Sequence, residues 1–346
     1  ISASLVGSEM CIRDSVRWKR YWASPVHRTL KTETPRAKTR PNMAGRRKGR
    51  AVTGILVLDK PIGPSSNQAL QRVRHLFNAA KAGHTGNLDP LASGVLPICL
   101  GEATKLSQFL LDSDKAYDAT VSFGIKTTTG DSEGEVLAEQ TAEVLTTDHV
   151  VAALTSFVGE FDQTPPMHSA LKVDGEPLYK LARQGKEVER KSRRIAVHSI
   201  EMTSFAPGVV ATSDIRVSCS KGTYIRTLSE DIAEAVGLPG HMSALRRTAT
   251  GLFDLSQSID LQTLVDVAEK EGPDALDQFL IDPEIAVGHL DRVELSDSAA
   301  FYLKQGQPVL VRNAPLSGMV RIAEAGGLFL GIGVILDDGR VAPKRL

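Results

Sequence analysis

The apolar residues of this 346-residue chain occur only in short runs. None of these runs approaches the roughly 18 to 20 residues that a membrane-spanning helix needs, so we predict no membrane segment. From residue 53 onward, the runs show either the two-residue period of strands or the 3.6-residue period of helices, and Gly and Pro residues separate them. This pattern predicts a chain of mixed α and β structure.

Four segments illustrate the pattern. The apolar run at 54–58 predicts a strand, and Ser65 or Ser66 can cap the helix that follows. Residues 83–101 are rich in Gly and Pro and therefore predict a loop. A further strand is predicted at 117–124.

The first fifty residues differ from the rest of the chain in charge. They hold 13 Lys or Arg against 3 Asp or Glu, which leaves 28 against 38 in the remainder. The basic segment could be an organellar transit peptide or a basic arm for nucleic acid. It could also be non-native, because residues 2–15 resemble translated sequencing-adapter read-through. We favour this last interpretation, expect 1–42 to be disordered and irrelevant to function, and expect the native chain to start at Met43.

The stretch with the clearest chemistry is the glycine-rich segment 83–97, which holds one imidazole, His84, and one carboxylate, Asp89. Glycine allows a backbone to approach a ligand closely. The segment lacks the spacing of a P-loop and that of a dinucleotide-binding loop. On their own, Asp89 fits a turn and His84 a structural loop residue, so the residue types alone leave the function open.

Cysteine and histidine spacing gives no sign of a metal centre. Cys11, Cys99 and Cys219 lie far apart, and no Cys-x-x-Cys or His-x-x-x-His pair occurs. We therefore predict a reducing compartment and no metal.

Several motifs, in order along the chain, resemble those of the TruB family of tRNA pseudouridine synthases. They are Leu-Asp-Lys-Pro at 58–61, the segment 83–97, Leu-Gly-Glu-Ala-Thr-Lys at 100–105, Asp-Ser-Asp-Lys at 112–115, Ser-Ala-Leu-Lys at 169–172, Lys-Gly-Thr-Tyr-Ile-Arg at 221–226 and Leu-Arg-Arg at 245–247. The resemblance implies an α+β pseudouridine synthase fold. That fold has a mixed, mainly antiparallel sheet with flanking helices, followed by a small C-terminal PUA-like β-barrel.

The resemblance also implies a domain organisation. We expect a disordered basic leader at 1–50, a catalytic domain at 51–290 and a PUA-like RNA-binding domain at 291–346. Within the catalytic domain, a thumb-like insertion at about 165–194 is expected to close over an RNA stem-loop.

The implied catalytic residues are Asp89, Tyr117 and Arg226. Pseudouridine formation breaks a C–N glycosidic bond and rejoins the base through carbon, without redox chemistry or phosphoryl transfer, so no cofactor is expected. Asp89 matches the catalytic aspartate, and Arg226 matches the cation that keeps it ionised. Tyr117 matches the aromatic residue on which the extruded base stacks.

Other positions match residues that hold or support the flipped uridine. His84 is expected to fill the space that the extruded base leaves, and Tyr224 and Leu245 to line the base pocket. The full implied set of substrate-binding residues is His84, Tyr224, Leu245, Lys60, Gly86 and Leu88.

The chain after residue 50 is net acidic, so its binding to RNA requires a local basic patch. The expected patch lies in the insertion and consists of Arg183, Lys186, Arg190, Lys191, Arg193 and Arg194. The implied partner is the T stem-loop of tRNA, without a guide RNA, and we expect a cytoplasmic monomer.

We therefore predict a stand-alone tRNA pseudouridine synthase that acts on uridine 55 of the TΨC loop. Two alternatives stay open: an RNA-guided synthase of the dyskerin type, and a tRNA-folding helper with dispensable catalysis. Asn87, His168 and Thr128 depart from the residues usual in the family, but none of them is one of the implied catalytic residues.

Overall fold

The computed structural model describes residues 49–173 and 175–346. The predictions about residues 1–42 lie outside these ranges. Arg50, the final residue of the predicted leader, belongs to the folded body. Its backbone pairs with Ala79, and its guanidinium donates to both carboxylate oxygens of Asp277 at 2.7 and 2.8 Å. These contacts hold Arg50 in place against the body of the chain.

Strands and short helices alternate along the described chain. Up to the insertion, the elements are β1 (Gly54–Lys60), α1 (Ser66–Leu76), β2 (Ala82–His84), β3 (Ser93–Leu100), α2 (Ser107–Leu111), β4 (Lys115–Phe123), β5 (Ile125–Thr127), β6 (Val136–Glu139), α3 (Thr147–Ser156) and β7 (Gly159–Gln163). The insertion (residues 164–192) contains β8 (Lys172–Val173), β9 (Glu176–Pro177) and α4 (Leu178–Arg183).

After the insertion come β10 (Arg193–Ala206), β11 (Ala211–Cys219), α5 (Ile225–Ala235), β12 (Gly240–Thr250), β13 (Phe253–Asp254), β14 (Ile259–Asp260), α6 (Leu261–Glu271), β15 (Asp291–Leu295), α7 (Asp297–Lys304), β16 (Val309–Leu310), β17 (Met319–Glu324), β18 (Phe329–Ile335) and β19 (Arg340–Arg345). Four 3₁₀ helices, at Gly101–Lys105, Leu255–Gln257, Pro273–Phe279 and Pro283–Val287, complete the described elements. Among these helices, none is long and apolar enough to cross a membrane.

The large sheet has the strand order β14-β1-β3-β12-β4-β11-β10-β7, with β2 added to β3 and β13 to β12. The pairs β1–β14 and β3–β12 are parallel, and the other pairs of this sheet are antiparallel. Helix α5 packs against β12 and β4, and α3 packs against β10. The predicted α+β class with a mixed, mainly antiparallel sheet is confirmed.

The loop predicted at 83–101 is wrong over much of its length. The chain forms β2 at the start of this segment and the eight-residue strand β3 at its end. All residues of β3 after Ser93 are buried, and the strand pairs with β1, β2 and β12. Burial of its apolar run outweighs the local preference of Gly94 and Pro97 for turns, because strand formation depends more on context than on intrinsic propensity.

Gly94 is required where β3 meets β12. Its φ is +104°, and a Cβ built at this position would lie 2.1 Å from the carbonyl oxygen of Arg247. Because the obstacle is backbone, it cannot rotate away, so we expect Gly94→Ala to destabilise the fold by about 3 kcal/mol or more. Urea unfolding followed by circular dichroism measures this loss. Gly222→Ala, at φ +82° with open space around it, provides the control for strain alone.

Ser65 provides the predicted helix cap. Its hydroxyl accepts from the backbone N–H of Gln68, and the Gln68 side chain accepts from the Ser65 N–H in return, which is a capping box. Ser66 is therefore free for another contact. Helix α3 is capped by Thr146, whose hydroxyl accepts from the backbone N–H of His149.

The C-terminal segment forms its own five-stranded sheet in the order β15-β17-β18-β19-β16. Its two end strands are not paired with each other in the described chain, so the sheet is a curled half-barrel that agrees with the predicted PUA-like fold. Its core contains Val293, Leu303, Val320 and Val341. Ile332 belongs instead to the core beneath β1 and β3, so this sheet packs directly on the part of the chain that forms the large sheet.

Candidate active site

A half-open cavity of about 640 Å³ lies where the loop between β2 and β3 meets the start of α5 and the insertion. The predicted site residues among those that line it are Asp89, Tyr117, Arg226, Tyr224, Leu245, Leu88 and Arg183. The cavity also receives Asp131 and Glu133 from the segment after β5, and His168 from the insertion. Three carboxylates and two guanidiniums thus face one space.

Several hydrogen bonds fix the loop that carries Asp89. The buried hydroxyl of Ser66 accepts from the N–H of Leu88 at 2.7 Å and donates to the Leu88 carbonyl at 2.9 Å. On the other side of Asp89, the Lys60 ammonium donates to the carbonyl of Ala92 at 2.6 Å. Anchors on both sides hold the carboxylate of Asp89 at the cavity wall, with 42% of its side chain exposed.

Arg226 is the electrostatic centre of the site. One guanidinium nitrogen lies 3.2 Å from a carboxylate oxygen of Asp89, and the other lies 3.6 Å from a carboxylate oxygen of Asp131. The same two nitrogens donate to the backbone carbonyls of His168 at 2.7 Å and Thr129 at 3.1 Å. Only 7% of the Arg226 side chain is exposed, so its planar fork is held in one orientation.

Asp131 is the second counter-ion of Arg226, and only 5% of its side chain is exposed. One of its carboxylate oxygens accepts from the Thr129 hydroxyl at 2.5 Å and from the N–H of Glu133 at 3.1 Å. A buried carboxylate with a cation and two donors stays in a fixed position. The chain Asp89–Arg226–Asp131 is therefore a connected ion-pair network rather than one isolated pair.

Tyr117 lies on β4 at the floor of the cavity. Its side chain is almost fully buried, and this burial raises its pKa, so the phenol is neutral at physiological pH. The guanidinium of Arg247 opposes this rise in pKa. Arg247 is itself buried and donates to the carbonyl of Val95 at 2.7 Å, which fixes it beside the ring.

Tyr224 and Leu245 bring further apolar surface to the cavity. Burial raises the pKa of the Tyr224 phenol, so it too stays neutral. His168 also lines the cavity, and both burial and the Arg226 guanidinium lower the pKa of its imidazole. Neutral rings around a charged pair form a site that fits a planar, uncharged base.

Three predicted residues, His84, Lys60 and Gly86, do not line the cavity. His84 is the last residue of β2; burial lowers its pKa, and its Nδ1 has no hydrogen-bond partner among the described residues. Lys60 is fully buried, and burial lowers its pKa to about 8. Gly86 has a φ of +97° in the loop before Asp89. Lys60 and Gly86 therefore shape the loop that carries the carboxylate.

The predicted basic patch divides into three groups. Arg183 lines the cavity, and its guanidinium carbon lies 5.7 Å from the centroid of the Tyr179 ring. Arg190 and Arg194 are partly neutralised by acidic side chains of the same region: Glu187 for Arg190, and Glu160 and Asp162 for Arg194. Lys186, Lys191 and Arg193 are exposed. The cationic surface that remains available is therefore smaller than the sequence count suggests.

Sequence reasoning missed three buried residues that contact residues of the site. Asp131 stands at the end of a Thr-x-Thr-x-Asp run, which is a possible signal, but nothing local indicates that it pairs with Arg226. Ser66 resembles a helix cap, and its contact with Leu88 depends on the packing of α1. The third, Gln163, is a buried amide at the end of β7 that no motif indicates.

Most of the chain matches known protein families. Residues 74–225 match "TruB family pseudouridylate synthase (N terminal domain)", residues 226–288 match "tRNA pseudouridylate synthase B C-terminal domain", and residues 292–346 match "Pseudouridine synthase II TruB, C-terminal". These matches cover most of the residues that line the cavity and all but the first residue of the C-terminal sheet.

Similar proteins and structures agree with these matches. A "tRNA pseudouridine synthase B" of Pseudomonas aeruginosa is 53% identical over 297 residues, which are 86% of this chain and 96% of the relative. A protein of the same name from Saccharophagus degradans is 50% identical and covers 87% of this chain and 97% of the relative. Among solved structures, one titled "Crystal Structure of a Cbf5-Nop10-Gar1 Complex" is 29% identical with a TM-score of 0.61 and covers 82% of this chain and 78% of that chain.

Proposed function

The chain belongs to the TruB family of pseudouridine synthases, and on this premise we propose that it converts one uridine of tRNA into pseudouridine, uridine 55 of the TΨC loop. The observation that carries the proposal is the contact of Asp89 with Arg226 at 3.2 Å inside a cavity that also receives Tyr117. The proposed enzyme acts on tRNA without a guide RNA, as a cytoplasmic monomer.

In the proposed reaction, the target base leaves its stack and enters the cavity, where Tyr117 stacks against it. The bond between N1 of uracil and C1′ of the ribose breaks, and a bond between C5 and C1′ forms. The hydrogen on C5 is lost and N1 gains one, so the overall change is an isomerisation. Asp89 acts on the sugar or the base as nucleophile or base, and Arg226 keeps its carboxylate ionised and aligned.

For binding of the T stem-loop, we propose that the insertion and the adjoining Arg193 supply the phosphate contacts. The exposed cations Lys186, Lys191 and Arg193 are suited to the backbone, and Arg183 to the phosphate nearest the flipped nucleotide. Because only part of the patch is free of acidic partners, we expect an affinity with moderate salt dependence.

The decisive experiment uses purified protein, an unmodified tRNA transcript, and no guide RNA. Pseudouridine is mapped by chemical labelling at single-nucleotide resolution. One modified site at position 55 supports the proposal. Product that forms only when a guide RNA is added would favour the dyskerin-type alternative, and bound but unmodified tRNA would favour the folding helper.

Deletion of residues 1–42 is expected to leave the rate of pseudouridine formation and the affinity for tRNA within about twofold of the full chain, since the proposed site uses none of these residues. Filter binding and single-turnover kinetics measure both quantities. A large drop in affinity would revive the basic-arm interpretation of the leader.

A further inference from the structure

Gln163 makes an unusual contact for a buried side chain. Its amide nitrogen donates to the carbonyl of Tyr224 at 3.1 Å, and its amide oxygen accepts from the N–H of the same residue at 2.8 Å. Only 3% of Gln163 is exposed. Both ends of the amide thus hold the backbone of a single residue, which fixes the position of that peptide segment as well as satisfying the buried groups.

We call these two hydrogen bonds the Gln163 clamp, and the residue that they hold, Tyr224, is the one from which α5 begins. Tyr224 occupies the N-cap position but supplies no side-chain cap, and its carbonyl also accepts the first helical hydrogen bond, from Leu228. Gln163 therefore holds the N-cap residue itself, and its amide oxygen accepts from the N-cap N–H as the N3 side chain does in a capping box. Arg226 is the second residue of this helix, so the clamp lies two residues from the guanidinium that contacts Asp89.

Gln163 is also the last residue of β7, immediately before the insertion. It pairs with Arg193, the first residue of β10, so the two residues lie at the root of the insertion. Thr164 and Ser192 are hydrogen-bonded at 2.9 Å across the same root. The clamp thus joins the base of the insertion to the helix end that carries Arg226. Arg226 also contacts the insertion directly, by donating to the carbonyl of His168.

We infer that Gln163 is a positioning residue for pseudouridine formation: it fixes the Tyr224 backbone so that the Arg226 guanidinium meets Asp89 and the root of the insertion in one geometry. This inference rests on the proposed function. Gln163 does not line the cavity, so it acts through Arg226 and Tyr224 and not on the substrate.

The test measures single-turnover pseudouridine formation and tRNA affinity for Gln163→Leu and Gln163→Glu. Gln163→Leu removes both hydrogen bonds and is expected to lower the rate by about 10- to 100-fold, with the Kd for tRNA within threefold, because alignment is lost and not RNA contact. Ser213→Ala is the matched control. This serine is equally buried, donates to the carbonyl of Ser204 and lies outside the cavity.

Gln163→Glu adds a second measurement, the pH dependence of the rate, which would not change if Gln163 only stabilised the fold. An ionised carboxylate can accept from the Tyr224 N–H but repels the Tyr224 carbonyl, whereas a protonated one can accept and donate as the amide does. Burial raises the pKa of a carboxyl group, and the cation of Arg193, the residue that pairs with this position in β10, opposes that rise. We expect the rate of this variant, divided by the wild-type rate at each pH, to rise at least about fivefold from pH 8 to pH 6.

A Gln163→Leu rate within twofold of wild type would overturn the inference. A loss confined to Kd, a flat pH ratio for Gln163→Glu, or an equal loss in Ser213→Ala would overturn it as well. Melting temperatures recorded for each variant ensure that rates are compared between folded proteins. A wild-type chain that forms no pseudouridine overturns the proposed function and this inference together, whereas an active wild type with an unaffected Gln163→Leu overturns the inference alone.

Discussion

Asp89→Asn is expected to lower the rate of pseudouridine formation by at least about 10⁴-fold while tRNA binding survives. The amide keeps the size of the side chain and can still accept a hydrogen bond from Arg226, but it can act neither as a nucleophile nor as a base. The neighbouring loop contacts of Ser66, Leu88 and Lys60 do not involve this carboxylate, so the loop keeps its shape.

Two measurements on the same preparation check this expectation. Single-turnover assays with tritium release from C5 of uracil give the rate, and filter binding gives the Kd for tRNA. Asp118→Asn is the matched control, because Asp118 is a half-exposed aspartate on the same sheet and pairs with Arg216 outside the cavity. Substantial turnover by Asp89→Asn would remove Asp89 from the catalytic role.

Arg226→Lys is expected to lower the rate by about 100-fold or more, although the positive charge is kept. A single ammonium cannot reach Asp89, Asp131 and the carbonyls of Thr129 and His168 at once, as the guanidinium fork does. We also expect a loss of stability, because Asp131 is buried and loses part of its counter-ion.

The matched control is Arg216→Lys, since Arg216 forms an exposed ion pair with Asp118 and lies outside the cavity. Its rate is expected to stay within about twofold of wild type, because exposed pairs contribute little. Asp131→Asn tests the second carboxylate separately from the first. This variant keeps the ion pair of Arg226 with Asp89 and weakens only the contact of Arg226 with the buried Asp131. A rate for Arg226→Lys equal to wild type would show that charge alone suffices and that the fork geometry is irrelevant.

Local signals in the sequence were sufficient for many elements of the fold. The apolar run of β1 and the cap at Ser65 lie where they were predicted, and the strand predicted at 117–124 forms as β4 at 115–123. These features follow from the periodicities of helices and strands and from helix capping, which depend on only a few neighbouring residues. β3 escaped prediction because its turn-forming residues, Gly94 and Pro97, tolerate a strand only when neighbours on both sides bury it.

What the sequence by itself determined was the chemistry that the chain carries: one aspartate in a glycine-rich loop, and an ordered set of motifs that indicates its family. Only the tertiary structure decided which groups surround that aspartate. The Arg226 fork, the buried Asp131 and the Gln163 clamp come from separate segments, and their meeting depends on the packing of α5, the loop after β5 and the end of β7. Ion-pair and hydrogen-bond geometry depends on distances of a few ångströms, which no spacing along the chain encodes.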